Sequence, residues 1–289
     1  MSTTVFLPCL DSEAAAHTLR WQLDLSRDQA AALGRSAVDA ADKGSYTARN
    51  GEQVNWQPLV DRARFAKCSI PPDEALAPAT PGAARSTEVQ VTNETTLQAS
   101  LRLTDADTCP LALNFASGVN PGGGFLRGAR AQEEALCRSS ALHATLVDDP
   151  MYAFHAARTR PDATDWAIIS PDVPVFRTDD GIELAEPWLL SFVSCAAPYA
   201  PSVGQPESGD LLRRRILRVL AIATSFGYRT LVLGAWGCGA FGNDPKRTAA
   251  DFRSALEGPF AGHFDHVAFA ITDWSPERRF LGPFRDTFR

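Results

Sequence analysis

The stretch Leu113–Leu142, LNFASGVNPGGGFLRGARAQEEALCRSSAL, contains the most informative pattern in the sequence: a strand, a glycine turn and the start of a helix. An apolar run, Pro110–Phe115, predicts a strand, and small residues lead from it to three consecutive glycines, Gly122, Gly123 and Gly124. Glycines adopt positive φ angles without strain and present their N–H groups freely, because no Cβ stands in the way. A glycine turn that leads into a helix therefore suits phosphate oxygens.

A helix is predicted to begin after this turn, and its first turn carries Gln132, Glu133 and Glu134. The helix dipole favours carboxylates at this end, and beside a bound anion they are available for acid–base chemistry. Taken separately, GGG is an ordinary loop and QEE is an ordinary solvated helix start. The two motifs at this spacing are more specific than either motif alone.

Length and composition limit what the chain can be. Its 289 residues suffice for one large domain, or for one domain with an appendage, and its apolar runs are too short to span a membrane. The N-terminus lacks the basic segment and long apolar core of a secretory signal. Six scattered cysteines without a CxxC pair are typical of reduced thiols in a cytoplasmic protein, not of disulfides or a zinc site.

The net charge of −6 argues against a nonspecific nucleic-acid binder, which needs a basic surface. A phosphate-rich ligand would have to be met by backbone dipoles and a few arginines. Arg127, Arg130 and Arg138 flank the central stretch and are candidates, although each can equally be a solvated surface residue. The absence of a GxxxxGK[ST] motif disfavours a nucleotide triphosphatase.

The chain divides into two predicted parts. Residues 11–43 have a helical pattern that Gly34 and Gly44 punctuate, and residues 45–84 look irregular and end in a Pro/Ala-rich linker, IPPDEALAPATPGAA. Residues 1–84 are therefore predicted to form an N-terminal helical appendage with its linker, and residues 85–289 the catalytic domain. From Ser86 onward strands alternate with helices, which indicates α/β layers.

The elements predicted in this second part are strands at 87–93, 110–115, 166–169, 187–195, 230–236 and 266–271, and helices at 94–103, 131–147, 210–226 and 246–256.

A second glycine-rich loop, GAWGCGAFGN at Gly234–Asn243, follows the all-apolar strand TLVLGAW. By itself it can be a tight turn between a strand and a helix. Both glycine loops, however, follow the C-terminal ends of predicted strands, where ligands bind in open α/β sheets. Two such loops would supply donors to both sides of a diphosphate.

The triple glycine, followed after seven residues by Gln-Glu-Glu, resembles the signature of poly(ADP-ribose) glycohydrolases. The flanks NFAS, NPGGG and LCRSS are similar to the bacterial type of that family, as are SPDVPVF at Ser170–Phe176, beside the site, and GAWGCGAFGNDP at Gly234–Pro245. The resemblance covers the chain from Thr87 to the end, and the N-terminal part more weakly. It implies an α/β fold, a macrodomain-like three-layer α/β/α mixed sheet with an N-terminal helical extension.

The implied activity is hydrolysis of the ribose–ribose O-glycosidic bonds of poly(ADP-ribose), mainly from the chain end, with release of ADP-ribose and without a metal or other cofactor. Neighbours on a helix diverge by about 100°, so Glu133 and Glu134 cannot both face one oxygen. The resemblance implies that the second of them, Glu134, is the catalytic acid/base. Glu133 would hold ribose hydroxyls and, as a nearby like charge, help to keep Glu134 protonated.

The resemblance also implies the residues that bind the substrate. They are Glu94 and Thr95 near the adenine, Asn120 at the terminal ribose, Gly122, Gly123, Gly124 and Gln132 in the central stretch, and Gly237, Gly239, Ala240, Phe241 and Gly242 in the second loop, with Phe241 packed against a ribose.

The implied partners are poly(ADP-ribose) or ADP-ribose as ligand and ADP-ribosylated proteins of a DNA damage response, with no membrane and no sequence-specific nucleic acid. Two other functions stay open. A macrodomain that binds ADP-ribose without cleaving it would need both glycine loops but has no use for Gln-Glu-Glu. A hydrolase of single ADP-ribose units on protein side chains differs only in the leaving group, so the sequence discriminates it poorly.

Overall fold

The computed structural model describes residues 4–77, 86–104 and 108–289. The strands in these ranges are β1 (Thr4–Phe6), β2 (Ser45–Thr47), β3 (Gln53–Asn55), β4 (Cys68–Ile70), β5 (Thr87–Thr92), β6 (Leu111–Ala116), β7 (Ala167–Arg177), β8 (Glu183–Ala196), β9 (Thr230–Leu233) and β10 (His266–Ala270). The helices are α1 (Glu13–Gln22), α2 (Arg27–Lys43), α3 (Gln57–Ala66), α4 (Thr96–Leu103), α5 (Gln132–Ser139), α6 (Leu142–Leu146), α7 (Pro150–Ala156), α8 (Ala200–Val203), α9 (Glu207–Ser225), α10 (Pro245–Glu257) and α11 (Leu281–Thr287), and a 3₁₀ turn spans Phe125–Arg127.

Eight strands form one mixed sheet in the order β1-β5-β10-β9-β6-β8-β7-β4. The strands from β1 to β8 in this order run parallel, and β7 and β4 continue the sheet antiparallel. Successive side chains of a strand point to opposite faces. In β6, Leu111 and Leu113 accordingly join the core cluster that contains Ile216 of α9, whereas Ala112 joins the cluster that contains Leu136 of α5. The predicted three-layer α/β/α arrangement is confirmed.

The helix predicted over 131–147 is wrong in one place. Helix α5 ends at Ser139, because Ser140 is extended and forms a β-bridge with Val175, and the chain becomes helical again only in α6. Similarly, the segment Ser170–Phe176 is not a loop beside the site. It belongs to β7, which continues through a bulge after Ser170, and residues 170–176 do not line the cleft at the C-terminal ends of the parallel strands.

The N-terminal part is more regular than predicted. Residues 45–77 contain the hairpin β2–β3, helix α3 and strand β4, while residues 78–84 of the predicted linker lie outside the described ranges. Gly44 ends α2 with φ 68° as expected, but Gly34 lies inside α2 and does not interrupt it. A Cβ at Gly34 would lie 2.8 Å from the Phe125 carbonyl oxygen, so this glycine permits close packing of α2 on the 3₁₀ turn.

Strands β1 and β4, both from the N-terminal part, form the two edges of the sheet. Helix α2 packs against α5 and the 3₁₀ turn. The division into an appendage, 1–84, and a catalytic domain, 85–289, stays a prediction about folding units, and strand pairing ties the two parts into one sheet. Within the described ranges, no helix is long and apolar enough to cross a membrane.

Candidate functional site

A large cleft lies at the C-terminal ends of the parallel strands. Its volume is about 710 Å³, and residues that follow β5, β6, β9 and β10 line it. Both glycine-rich loops border this cleft, as their position after strand ends predicts. The predicted site residues all line it except Gly122 and Gly242.

Gly122 and Gly242 determine the backbone course of the two loops without lining the cleft. Their φ angles are 70° and 67°, in the left-handed region that favours glycine. Gly122 is buried, and a Cβ on it would lie 2.9 Å from the Phe125 ring. Their contact with substrate stays a prediction, since other residues of both loops face the cleft.

Position 123 requires glycine because of its surroundings as well as its backbone conformation. Its φ angle is 62°. A Cβ there would collide with Glu134 Oε1 and lie 2.9 Å from Glu133 Oε2. The next N–H, that of Gly124, donates to Glu134 Oε1 over 2.9 Å. The glycine turn therefore packs directly against both carboxyl groups.

The two glutamates of α5 are buried, with 4% and 8% of their surfaces exposed for Glu133 and Glu134. Glu133 Oε2 accepts the Ser117 N–H over 2.7 Å, and its Oε1 lies 3.4 Å from Asn114 Nδ2. Glu134 instead accepts from Gly124. The neighbouring side chains thus turn to different partners, as helix geometry requires.

Burial raises the pKa of Glu133 to about 8, and the charge of Glu134 adds to the rise, while the Ser117 N–H opposes it. At neutral pH Glu133 therefore holds a proton. The sequence prediction had a charged Glu133 keeping its neighbour protonated. The predicted role of Glu133 towards its neighbour stays a prediction, while burial of Glu133 itself favours the neutral form of that carboxyl.

The Gln132 side chain is fully engaged with the protein. Its Oε1 accepts the Phe115 N–H over 2.9 Å, and its Nε2 donates to the Leu113 carbonyl over 2.7 Å and to Thr96 Oγ1 over 3.1 Å. Helix α5 begins at this residue without a side-chain cap. Gln132 fixes the start of α5 against the end of β6, and its predicted contact with substrate stays a prediction.

Glu94 and Thr95 follow β5, and both make contacts within the protein. Glu94 pairs with Arg102 over 2.8 Å. The Thr95 hydroxyl caps α4 by accepting the Gln98 N–H and donates to Asp179 Oδ2 over 2.6 Å. Burial raises the pKa of Asp179 to about 6. Asp179 also lines the cleft and was missed, because a turn sequence between two strands gives no sign of burial.

The three arginines of the central stretch all line the cleft. Arg138 is buried and donates to the Ala129 carbonyl over 2.9 Å. Arg130 donates to the Leu25 carbonyl over 2.6 Å, and neither Arg127 nor Arg130 forms an ion pair with any described residue. The exposed guanidinium of Arg127 is the one of the three without a hydrogen bond in the described ranges.

The end of α1 and its connection to α2 form one side of the cleft, which the sequence did not predict. Arg20, Leu23, Asp24 and Leu25 line the cleft there. No motif in this segment indicates a site. Contacts of α2 with the 3₁₀ turn and the hydrogen bond from Arg130 to the Leu25 carbonyl bring it into place.

Hydrogen bonds of Asn243 and a ring contact of Phe241 hold the second glycine loop in place. Asn243 Nδ2 donates to the Pro198 carbonyl over 2.9 Å, and Asn243 Oδ1 accepts from Ser208 over 2.7 Å. Phe241 packs edge-on against Tyr199, with ring centroids 5.9 Å apart. The N–H groups of Gly239 and Ala240 have no acceptor in the described part of the chain, so they are free to meet a ligand.

Asn120 lies at the opposite loop, where its carbonyl accepts the Gly123 N–H over 2.9 Å. Its exposed side-chain amide bonds to no described residue and lines the cleft. Over residues 4–77, 86–104 and 108–289, no group of three or more His, Cys, Asp and Glu side chains could hold a metal ion. The chemistry available in the cleft centres on the buried carboxyl groups of Glu133 and Glu134 beside an array of backbone donors.

Comparison with known proteins agrees with this geometry. Residues 34–178 match the family model described as microbial-type PARG, catalytic domain. The crystal structure of poly(ADP-ribose) glycohydrolase (PARG) from Thermomonospora curvata is 42% identical, with a TM-score of 0.84 over 90% of this chain and 99% of its own. PARG from Deinococcus radiodurans in complex with ADP-ribose is 39% identical, with a TM-score of 0.72 over 80% and 96%.

A structure of the Thermomonospora curvata enzyme bound to the inhibitor ADP-HPD is similarly close, with 43% identity and a TM-score of 0.83 over 90% of this chain and 99% of its own. No protein with a curated description matches the chain. The family model spans half of the chain, and the structural matches cover nearly all of it. The chain therefore belongs to the microbial-type poly(ADP-ribose) glycohydrolase family.

Proposed function

We propose that this chain hydrolyses the ribose–ribose O-glycosidic bonds of poly(ADP-ribose) and releases ADP-ribose. The observation that carries the proposal is the pair of buried carboxyl groups, Glu133 and Glu134, held against the glycine turn inside the cleft. A protein that only binds ADP-ribose gains nothing from two buried carboxyl groups, since burying each of them is costly. The pair therefore favours an enzyme over a reader.

The substrate's diphosphate is expected to lie between the two glycine loops. The unpartnered N–H groups of Gly239 and Ala240 can donate to its oxygens from one side, and the exposed Arg127 guanidinium adds a positive charge at the rim. Phe241, fixed by Tyr199, offers a ring face to a ribose. The Asn120 amide is free to bind the hydroxyls of the terminal ribose.

Glu134 is assigned the acid/base role. Its Oε1 is held by Gly124, which leaves Oε2 free to carry the proton that passes to the leaving 2′ oxygen as the C1″–O bond breaks. The carboxylate then takes a proton from the water that adds to C1″, which restores the acid. A dianionic diphosphate nearby favours proton uptake by the carboxyl pair and stabilises the oxocarbenium-like transition state.

Glu133 is assigned the placement of the ribose. Because burial keeps it protonated, it can donate one hydrogen bond and accept another without adding a negative charge. The Ser117 N–H fixes one of its oxygens. This neutral group then orients a ribose hydroxyl so that C1″ faces Glu134.

We further propose that cleavage proceeds mainly from the chain end. The segment that links α1 to α2 closes one side of the cleft. Arg130 holds the Leu25 carbonyl, and Arg27 Nε donates to the Arg127 carbonyl over 2.9 Å, so this wall is fastened to the loop after the glycine turn. A closed wall accepts a last unit and excludes polymer that continues past it.

The test is a time course with purified poly(ADP-ribose) attached to protein, resolved by chromatography. ADP-ribose monomers should appear at the first time points with little release of oligomers, and the unit attached to protein should remain. No release of ADP-ribose at all would support the reader. Early oligomers would contradict cleavage from the end, and complete removal of the protein-linked unit would indicate the hydrolase of single units.

A further inference from the structure

The loop from Ser117 to Gly123, between β6 and the glycine turn, is held from outside the cleft by His155 of α7. His155 is buried, with 4% of its surface exposed, and does not line the cleft. Its Nδ1 lies 3.1 Å from the Gly118 carbonyl oxygen. Its Nε2 lies 3.1 Å from the Thr164 backbone nitrogen and 2.7 Å from the Thr164 hydroxyl.

These contacts define the protonation of the imidazole ring. The backbone N–H of Thr164 can only donate, so Nε2 must be an acceptor. The proton of the neutral ring therefore sits on Nδ1 and is donated to Gly118. Burial lowers the pKa of His155, which favours this neutral form.

The charged groups around His155 come from α9 and from the connection between α7 and β7. They are Arg215 of α9, Arg158 after α7, and Asp162 in the loop before β7. The two arginines disfavour a positive charge on the ring, and Asp162 acts in the opposite direction. Asp162 is itself paired with Arg158 over 2.7 Å, which weakens its effect on the imidazole.

A short series of contacts joins His155 to the carboxyl groups. Ser117 precedes Gly118 and donates its N–H to Glu133 Oε2 over 2.7 Å. The Ser117 hydroxyl accepts the Asn120 N–H over 3.1 Å, and the Asn120 carbonyl in turn accepts the N–H of Gly123. Movement of the Gly118 peptide therefore moves the donor that holds Glu133 and the turn beneath Glu134.

Gly118 is shaped for this contact. A Cβ on it would lie 3.3 Å from His155 Nδ1, closer than most Cβ contacts in proteins, so the ring or the loop would have to shift slightly. The missing side chain thus makes the close approach of the ring to the loop easier. The triple glycine is not the only place where glycine favours the geometry of the loop.

We infer that His155 is a positioning residue for the hydrolysis proposed above: its neutral ring clamps the Ser117–Gly123 loop so that Glu133 and Glu134 keep their working geometry. The inference rests on the proposed function, because the readout is turnover of the polymer. Protonation of the ring turns Nε2 from an acceptor into a donor that opposes the Thr164 N–H. The clamp therefore loosens in acid, below the ordinary histidine pKa of 6.5.

The test compares His155→Leu and His155→Gln with wild type on poly(ADP-ribose) from pH 5 to pH 7.5. Leucine fills the space but makes neither hydrogen bond, so kcat should fall about 10- to 100-fold, the cost of a misplaced catalytic group, with little change in KM. The glutamine amide can donate to Gly118 and accept from Thr164 without titrating. His155→Gln should therefore keep most of the neutral-pH rate and lack an acid decline that the wild type shows.

The matched control is His266→Leu. His266 lies at the start of β10, at the opposite end of the sheet from the cleft, so this change should leave kcat within about two-fold of wild type. Should His155→Leu fail to fold, the pH profile of His155→Gln decides alone. A His155→Leu enzyme with wild-type kcat, or a His155→Gln profile identical to wild type, overturns the inference. An inactive wild type would instead overturn the proposed function, so the two failures are distinguishable.

Discussion

Replacing Glu133 by glutamine should stabilise the protein, and increasingly so as the pH rises. Burial raises the pKa of this carboxyl from 4.5 to about 8. In the unfolded chain the group loses its proton above about pH 4.5, whereas the folded protein retains the proton until about pH 8. Between these values unfolding releases a proton, so a rise in pH favours the unfolded state. Glutamine carries no charge at any pH and still accepts the Ser117 N–H.

The magnitude follows from the pKa difference. From 4.5 to 8 is 3.5 pH units, and each unit corresponds to about 1.4 kcal/mol. The free energy of unfolding of Glu133→Gln should therefore exceed that of wild type by on the order of 5 kcal/mol at pH 8, but by less than about 1 kcal/mol at pH 5. Water entry into the cleft would reduce the upper figure without changing the sign of the slope.

The assay is urea unfolding of both proteins at pH 5, 6, 7 and 8 and constant ionic strength. Glu277→Gln removes one exposed carboxylate and serves as the control, with a difference from wild type of about 0.5 kcal/mol or less at each pH. A difference between Glu133→Gln and wild type that is independent of pH, or that shrinks as the pH rises, would contradict a protonated Glu133 in the folded protein. It would show that Glu133 is ionised in the folded protein.

Two further substitutions test the loops. Gly123→Val should weaken ADP-ribose binding in calorimetry, because a side chain there meets both carboxyl groups. The control is Gly227→Val, which has a φ of 79° and open space around it, so it imposes the same backbone strain without loss of ADP-ribose affinity. Equal affinities of the two variants would show that the glycine loop is only a turn. Arg130→Gln frees the Leu25 carbonyl and should increase early oligomer release from poly(ADP-ribose), and an unchanged product pattern would contradict the closed wall.

The sequence predicts the centre of the sheet well, because its strands are short, almost entirely apolar runs. β6, β9 and β10 lie within two or three residues of their predicted bounds. Elements that depend on distant partners were not predictable. Ser140 interrupts a helical pattern because it pairs with Val175, and β4 is a strand only because β7 lies beside it.

For the site, sequence motifs place the right residues around the cleft but do not describe their state. The proton on Glu133 results from burial, which no local pattern shows. Gln132 matches a family motif, yet its side-chain amide forms hydrogen bonds with the backbone of β6. Asp179 and the α1–α2 connection carry no motif, and only packing brings them to the cleft.

The most direct test of the account is Glu134→Gln on poly(ADP-ribose). Glutamine keeps an acceptor for the Gly124 N–H but cannot donate and reclaim a proton. The rate of ADP-ribose release should fall by about 10²–10⁴, while calorimetry should give an ADP-ribose affinity within about three-fold of wild type, since one surviving hydrogen bond holds the side chain in place. A variant that still releases ADP-ribose at nearly the wild-type rate would contradict the assignment of Glu134 as the acid/base.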